Sequence, residues 1–177
     1  MSVVVRVAGE SDAAALHAVA AETFPLACPP GTGSDQIAAF IATHLSEERF
    51  REYLRDENRL LLIAVDDAGR AVGYTMLIFG VPGDSDVRSS VSTRPTAELS
   101  KVYLLPGEHG SGVASALMDA TIEAARERGV ASVWLGVNKL NLRANRFYER
   151  SGFATVGSKK FQLGTEVHDD FIRELLL

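Results

Sequence analysis

Apolar residues recur along this chain with two periods, and the switches between them divide it into elements. Val3–Val7 is a short β-branched run that reads as a strand. From Asp12 to Glu22, residues Ala15, Leu16, Val19 and Ala20 form a stripe at helical spacing, with Ser11 placed as N-cap. The segment "FPLACPPGTG", residues 24–33, reads as a loop on its prolines and glycines. Asp35–His44 carries Ile37, Phe40 and Ile41 on one helical face. Ser46 followed by Glu47 and Glu48 marks the start of a third helix, which runs to about Leu54. Arg59–Val65 and Ala71–Phe79 are dense in strand formers and flank "DDAGR", a hairpin signal. The polar stretch 81–96, "VPGDSDVRSSVSTRPT", reads as a long loop, and loops of that length are unusual unless mobile or functional.

The second half is more regular. Glu98–Leu105 predicts a strand, Ser111–Arg128 a helix closed by Gly129, Ser132–Val137 a strand and Asn141–Ser151 a helix. Phe153–Gln162 and Val167–Leu176 predict two closing strands around Gly164. This order predicts an α/β (α+β) domain with a mixed sheet. In it the strand at 98–105, the helix after it and the strand at 132–137 form one βαβ crossover.

At 177 residues the chain is long enough to bury a core, and residues 1–177 read as one domain. Its 46% hydrophobic and 23% charged residues are the mixture of a soluble globular protein. No apolar run approaches the roughly 20 residues a membrane span needs. The start "MSVVVRVAGESD" is too polar for a signal peptide, so no membrane partner and a cytoplasmic location are expected. The one cysteine, Cys28, excludes an internal disulfide and a thiolate metal cluster and fits a reducing compartment. The histidines at 17, 44, 109 and 168 have no ligand spacing, so no metal is expected. A net charge of −5 argues against nucleic acid and for cationic ligands.

Chemistry enters at "LLPGEHGSGVASAL", residues 104–117. Gly107 and Gly112 have P-loop spacing, but Val113 and Ala114 stand where Lys and Ser/Thr should follow. The glycine order is also wrong for a dinucleotide fingerprint. A helix N-terminus flanked by glycines still binds anions through its free N–H groups, without any lysine. Lacking a cation and a metal-holding hydroxyl, the loop suits a pyrophosphate held for orientation, on a phosphorylated carrier, better than NTP hydrolysis.

A second segment, "NLRANRFYERSGF" at 141–153, turns this into a resemblance. Together the two segments resemble the GNAT superfamily of acyl-CoA-dependent N-acetyltransferases. The family's loop, Q/R-x-x-G-x-G/A, is matched by His109-x-x-Gly112-x-Ala114, with His109 in place of the usual Gln or Arg. Its later pattern is complete here in Asn141, Ala144, Tyr148, Gly152 and Phe153. The specific match spans residues 98–153.

The resemblance implies a GNAT fold: one mixed, mostly antiparallel sheet of about seven strands, flanked by helices and splayed at the central parallel pair. It implies acetyl-CoA as cofactor, its pyrophosphate on the N–H groups of His109, Gly110, Ser111, Gly112, Val113 and Ala114. Its pantetheine arm would lie beside Val102, Tyr103 and Leu104 like an added strand. Asn141 would contact that arm, and Lys139, Arg143 or Arg146 would meet the 3′-phosphate. Transfer to an amine then needs an acid for the leaving thiolate and a base for the amine. The resemblance assigns the acid to Tyr148 and points to Glu98 as the base, while amides near Val102–Leu104 would polarise the carbonyl. Cys28 has no part in direct transfer.

The acceptor is less defined. "DQIAAFIATHLSEERFREYL" and the C-terminal "FATVGSKKFQLGTEVHDDFIRELL" are similar to PaiA-type polyamine acetyltransferases, which favours a small polyamine-like amine. Glu22, Asp35, Glu47, Glu48, Glu98, Asp169 and Asp170 are the carboxylates available to hold it. A protein or peptide acceptor under the 81–96 loop, and a non-catalytic acyl-CoA-binding module, are the alternatives. The apolar end "IRELLL" leaves a homodimer open.

Overall fold

The structure is a computed structural model that describes residues 2–177. Its strands are β1 (Val3–Val7), β2 (Arg59–Asp66), β3 (Ala71–Phe79), β4 (Thr96–Leu104), β5 (Ser132–Asn138), β6 (Ala154–Leu163) and β7 (Glu166–Leu176). Its helices are α1 (Ala13–Ala27), α2 (Ser34–His44), α3 (Glu47–Arg55), α4 (Ser85–Ser90), α5 (Val113–Glu127) and α6 (Leu142–Arg150). The strands form one seven-stranded sheet in the order β1-β2-β3-β4-β5-β7-β6. Every pairing is antiparallel except β4 with β5. That pair is parallel because α5 carries the chain back across the sheet, as a parallel connection requires. The C-terminal strand β7 lies between β5 and β6, so its backbone presents no free edge.

Two cores lie against this sheet. On one face Met118, Ile122 and Ala125 of α5 pack on Leu77, Ala97, Leu99, Val133 and Leu135. The Thr75 and Thr121 hydroxyls, 2.8 Å apart, join α5 to β3 there, so this buried polar pair satisfies itself. On the other face α1 and α3 pack on β2–β4. Tyr74 meets Phe50 edge-on at 5.5 Å and Tyr103 at 5.8 Å. Each fully buried side chain of this size contributes roughly 1.5–3 kcal/mol.

The structure corrects four local expectations. Ser11 is exposed and does not cap α1; the Asp12 carboxylate accepts from the Gly9 N–H (2.8 Å) and pairs with Arg6, closing a short 3₁₀ turn that leads into the helix. The helix also runs through Pro25 to Ala27. Phe24 is buried and stacks on Phe40 at 4.5 Å, and a proline in the last turn forfeits only one helical bond, so packing outweighs the break. The stretch 81–96 is not one long loop: it holds α4, capped by the Asp84 side chain accepting from Asp86 N–H. Val87 and Val91, fully buried, anchor α4 against Trp134 and Ile172. Finally, α5 begins at Val113, two residues later than predicted, because Gly112 takes a left-handed φ of 86°.

Candidate active site

The parallel pair is short. β4 and β5 are partnered only at Thr96–Ser132, Ala97–Val133 and Glu98–Trp134. Beyond that, β4 stays on β3 as far as Leu104, while β5 stays on β7 as far as Asn138. The two strands therefore part at Glu98, and the edge of β4 from Leu99 to Leu104 faces an open wedge. A bulge marks the same place: Leu99 and Lys101 find partners on β3 at Leu77 and Met76, and Ser100 is passed over. Bulges bend and twist a strand, which turns β4 away from β5. Below the wedge the pair is clamped by Thr96 Oγ1 donating to Ser132 O (3.2 Å) and Ser132 Oγ donating to Thr96 Oγ1 (2.8 Å).

The mouth of the wedge is the glycine loop. Pro106–Glu108 make a 3₁₀ turn, and Gly110 and Gly112 have φ of 83° and 86°. The first helical donor recorded for α5 is Ala116 N–H, to Gly112 O at 3.1 Å. The amides of residues 113–115 precede it and have no carbonyl inside the helix to meet. A Cβ built on Gly110 or Gly112 would touch nothing within 4 Å, so these glycines serve the backbone turn, and the space before the helix is open. Free amides, a helix dipole and open space are the requirements of a pyrophosphate cradle, so the loop fits the group that the sequence implies. His109 sits at this mouth, its pKa held below the ordinary value by partial burial and by Arg143, which reaches toward the loop from α6.

Helix α6 forms the second wall. Asn141 caps it, its Oδ1 accepting from Ala144 N–H at 3.1 Å. Asn145, which the sequence did not single out, joins three elements: its Nδ2 donates to Asn138 O (3.0 Å) and Asn141 O (2.8 Å), and its Oδ1 accepts from Arg173 Nε (3.1 Å). Arg173 also donates to Phe153 O at 2.9 Å, so a buried network fixes α6 on β5 and β7. Tyr148 rises from this base, packed beside Phe147 and Phe153 with ring centroids at 5.6 and 5.9 Å. Burial pushes its phenol up to about 12. Burial also raises Tyr103 on β4, with smaller contributions from Tyr148, Cys28 and Asp170. Tyr148 thus lies close enough across the wedge to act on Tyr103.

The α3 side of the wedge is charged. Glu98 carries a pKa above its ordinary range because of burial, opposed by Lys101, Lys159 and Arg59. Burial lowers Lys101 to about 8, with Glu98 working against that shift. Asp170 is buried, lies 4.0 Å from Lys159, and is raised chiefly by burial. A Cβ on Gly136 would come within 2.8 Å of Lys159 Cε and 3.3 Å of Asp170 Oδ2, so a glycine makes room for this pair.

Of the seven acidic residues expected to hold a polyamine, only Glu98 and Asp170 are in this region. Glu47 is taken by Arg51 and Asp169 by Lys160 on the surface, while Glu22, Asp35 and Glu48 are exposed. Cys28 is pushed up to about 11 by burial and by Glu166, so it stays a thiol. Among the described residues no group of three or more His, Cys, Asp or Glu is placed to hold a metal, and no helix is long and apolar enough to cross a membrane.

A sheet splayed at its one parallel pair, with a helix N-terminus at the mouth, is the frame of an acyl-CoA-dependent acyltransferase. The chain belongs to the acetyltransferase (GNAT) family, whose pattern it matches over residues 21–153, and it is an acetyl-CoA-dependent N-acetyltransferase. It is 49% identical over 168 residues to an N-acetyltransferase of Mycobacterium tuberculosis, covering 94% of this chain and 99% of that one. In fold it is similar to the PaiA N-acetyltransferase from Thermoplasma acidophilum, solved in complex with coenzyme A, at a TM-score of 0.79, 21% identity and full coverage of both chains. It is also similar to the ribosomal-protein-S18-alanine N-acetyltransferase of Escherichia coli, at a TM-score of 0.69, 20% identity and coverage of 99% of this chain and 94% of that one.

Proposed function

We propose that the chain acetylates a small primary amine by direct attack within a ternary complex, with Tyr148 and Glu98 as its working side chains. The observation that carries this reading is the free edge of β4, which has Glu98 where the strands part and α6 with Tyr148 across the wedge. Acetyl-CoA supplies the activated acyl group when bound. The loop 109–114 and the free amides that open α5 hold its pyrophosphate, with Arg143 and His109 beside them, and the edge at Val102–Leu104 aligns its arm. Backbone N–H groups of that edge polarise the carbonyl. Asn141, whose Oδ1 is committed to its own helix, has its Nδ2 left for the arm. Glu98 takes a proton from the amine, directly or through a water. Tyr148 keeps its proton and donates a hydrogen bond to the leaving sulfur. Cys28, held as a thiol, forms no acyl-enzyme.

The sequence favoured a polyamine acceptor, and two carboxylates near the wedge support an amine there. The cations beside them limit how much positive charge it carries. A peptide acceptor under the 81–96 stretch has less support, since α4 is pinned to Trp134 and Ile172. The test is release of free CoA thiol with a panel of diamines, polyamines, amino acids and peptides. Saturable release with at least one small amine is expected; acetyl-CoA binding with no acceptor-dependent release from any of them would sink the reading.

The cradle makes its own prediction. Gly112→Val places a β-branched residue at a φ of 86°, which costs on the order of 1–2 kcal/mol or moves the loop. Acetyl-CoA affinity is expected to fall by about tenfold or more, read by calorimetry, while the same change at the surface turn residue Gly69 leaves it untouched.

A further inference from the structure

Three cations surround one aromatic ring on the face of the sheet that α3 covers. Arg49 of α3, Arg59 of β2 and Lys101 of β4 lie with their charged groups 5.3, 4.7 and 5.7 Å from the centroid of Tyr53. Tyr53 is buried, and its hydroxyl donates to His44 O at 2.7 Å, so the ring is fixed. The arginines are held from outside: Arg49 Nη1 bonds Glu52 at 2.7 Å and Arg59 Nε bonds Asp56 at 3.1 Å.

These pairs leave other donors of the cluster uncommitted. Arg49 Nε is buried with no partner, and Arg59 Nη1 has only the Met76 thioether at 3.8 Å. Lys101 Nζ, partly buried, is placed over the ring. Arg59 and Arg49 both work against the charge on Lys101, and the unpaired buried Arg49 Nε is costly too; an incoming oxyanion relieves both.

The position ties the cluster to the reaction. Arg59 pairs with Ile78, and Ile78 with Glu98, so Arg59 and Glu98 stand in one row, two strand spacings or about 10 Å apart. Lys101 pairs with Met76, the residue Arg59 reaches over. Both Lys101 and Arg59 act on the Glu98 carboxyl. An acceptor with its amine at Glu98 would set a group several bonds away among Arg49, Arg59 and Lys101. We infer that Arg49, Arg59 and Lys101, gathered on Tyr53, bind a carboxylate carried by the acceptor, so that the substrate is an amino acid with its reacting amine several bonds from its carboxylate. This rests on the acetyl-transfer reading above and narrows it away from polyamines.

The test uses matched pairs that differ by one carboxylate: ornithine against putrescine, and lysine against cadaverine. Binding to the CoA-loaded protein is measured by calorimetry, independently of turnover. In each pair the carboxylate compound is expected to bind about tenfold or more tightly, the worth of one charge-assisted contact. The double substitution Arg59→Gln with Lys101→Gln brings that ratio close to one, while an unchanged rise in melting temperature on adding acetyl-CoA reports an intact fold. Should that variant not fold, Lys101→Gln alone is measured and is expected to lower the ratio. Equal or tighter binding of the diamines, no binding of either class, or a preference that survives the substitutions overturns the inference. Release of CoA thiol, followed with the same four compounds, separates the two proposals. A carboxylate preference in binding without any release sinks acetyl transfer and leaves the anion site; release favouring diamines does the reverse.

Discussion

Tyr148→Phe is expected to lower kcat by about 10²–10³-fold while acetyl-CoA affinity stays close to that of the wild type. The substitution removes one oxygen and keeps the ring, so the contacts with Phe147 and Phe153 survive. The size follows from the phenol's proton affinity. Burial pushes Tyr148 up to about 12, whereas a free thiol titrates near ~8.5. Handing the proton over completely would therefore run uphill. A neutral phenol donating a hydrogen bond to developing charge on sulfur does not, and loss of one such donor is worth about 10²–10³ in rate. The same pKa fixes the pH behaviour. Tyr148 stays protonated through the working range, so the ratio of wild-type to variant kcat is expected to be flat from about pH 6 to pH 10. Single-turnover and steady-state rates across that range check it. An unchanged kcat would leave Tyr148 as a packing residue; a ratio that collapses below pH 10 would mean its phenol ionises far more easily than its burial implies.

Local patterning carried most of the architecture, because strands and helices here announce themselves over few residues. The hairpin β2–β3 around Gly69 and the glycine loop leading into α5 fall within a few residues of their predicted places. Expectations failed where long-range packing overrode local rules. Pro25 reads as a break, yet the Phe24–Phe40 stack lies sixteen positions apart in sequence and holds the helix closed. The polar residues of 81–96 hid two valines, Val87 and Val91, whose partners Trp134 and Ile172 come from the far half of the chain. The site divides in the same way. Tyr148 and the loop are legible as motifs because each lies within one short segment. The cluster on Tyr53 is not, since Arg49, Arg59 and Lys101 sit on three separate elements and meet only when α3 is laid over β2 and β4. Asn145 and Arg173 were equally silent, being an ordinary helix polar residue and an ordinary strand cation until the bond between them is seen.

For Glu98→Gln, kcat/KM is expected to fall by about 10²-fold at neutral pH, with the deficit closing as the solution becomes alkaline. Glutamine keeps the volume and removes the proton acceptor. An aliphatic amine titrates near ~10.4, so each unit of pH below that leaves about tenfold less of it free to react, and an enzyme base is worth most where the amine is protonated. Near pH 10 the amine deprotonates unaided, and the variant should approach the wild type. The wild-type acid limb carries a second signature. Burial favours the neutral form of Glu98, so its folded pKa lies above the ordinary carboxyl value, and the ionised base is lost at a correspondingly higher pH as the solution is acidified. Lys101, Lys159 and Arg59 pull the other way. Removing the largest of these opposing influences with Lys101→Gln should move the acid limb to higher pH. Burial lowers Lys101 itself to about 8, so its support for the ionised base fades on the alkaline side, where the amine increasingly supplies its own deprotonation. The charges around Glu98 are therefore coupled: Lys101 and Arg59, two of the cations that keep the base ionised, also belong to the cluster proposed to receive an anionic acceptor, and binding such an acceptor would offset them and raise Glu98 further, strengthening it as a base at the moment the amine arrives. A Glu98→Gln variant with the wild-type pH profile at every pH would break that coupling and move the base elsewhere in the wedge.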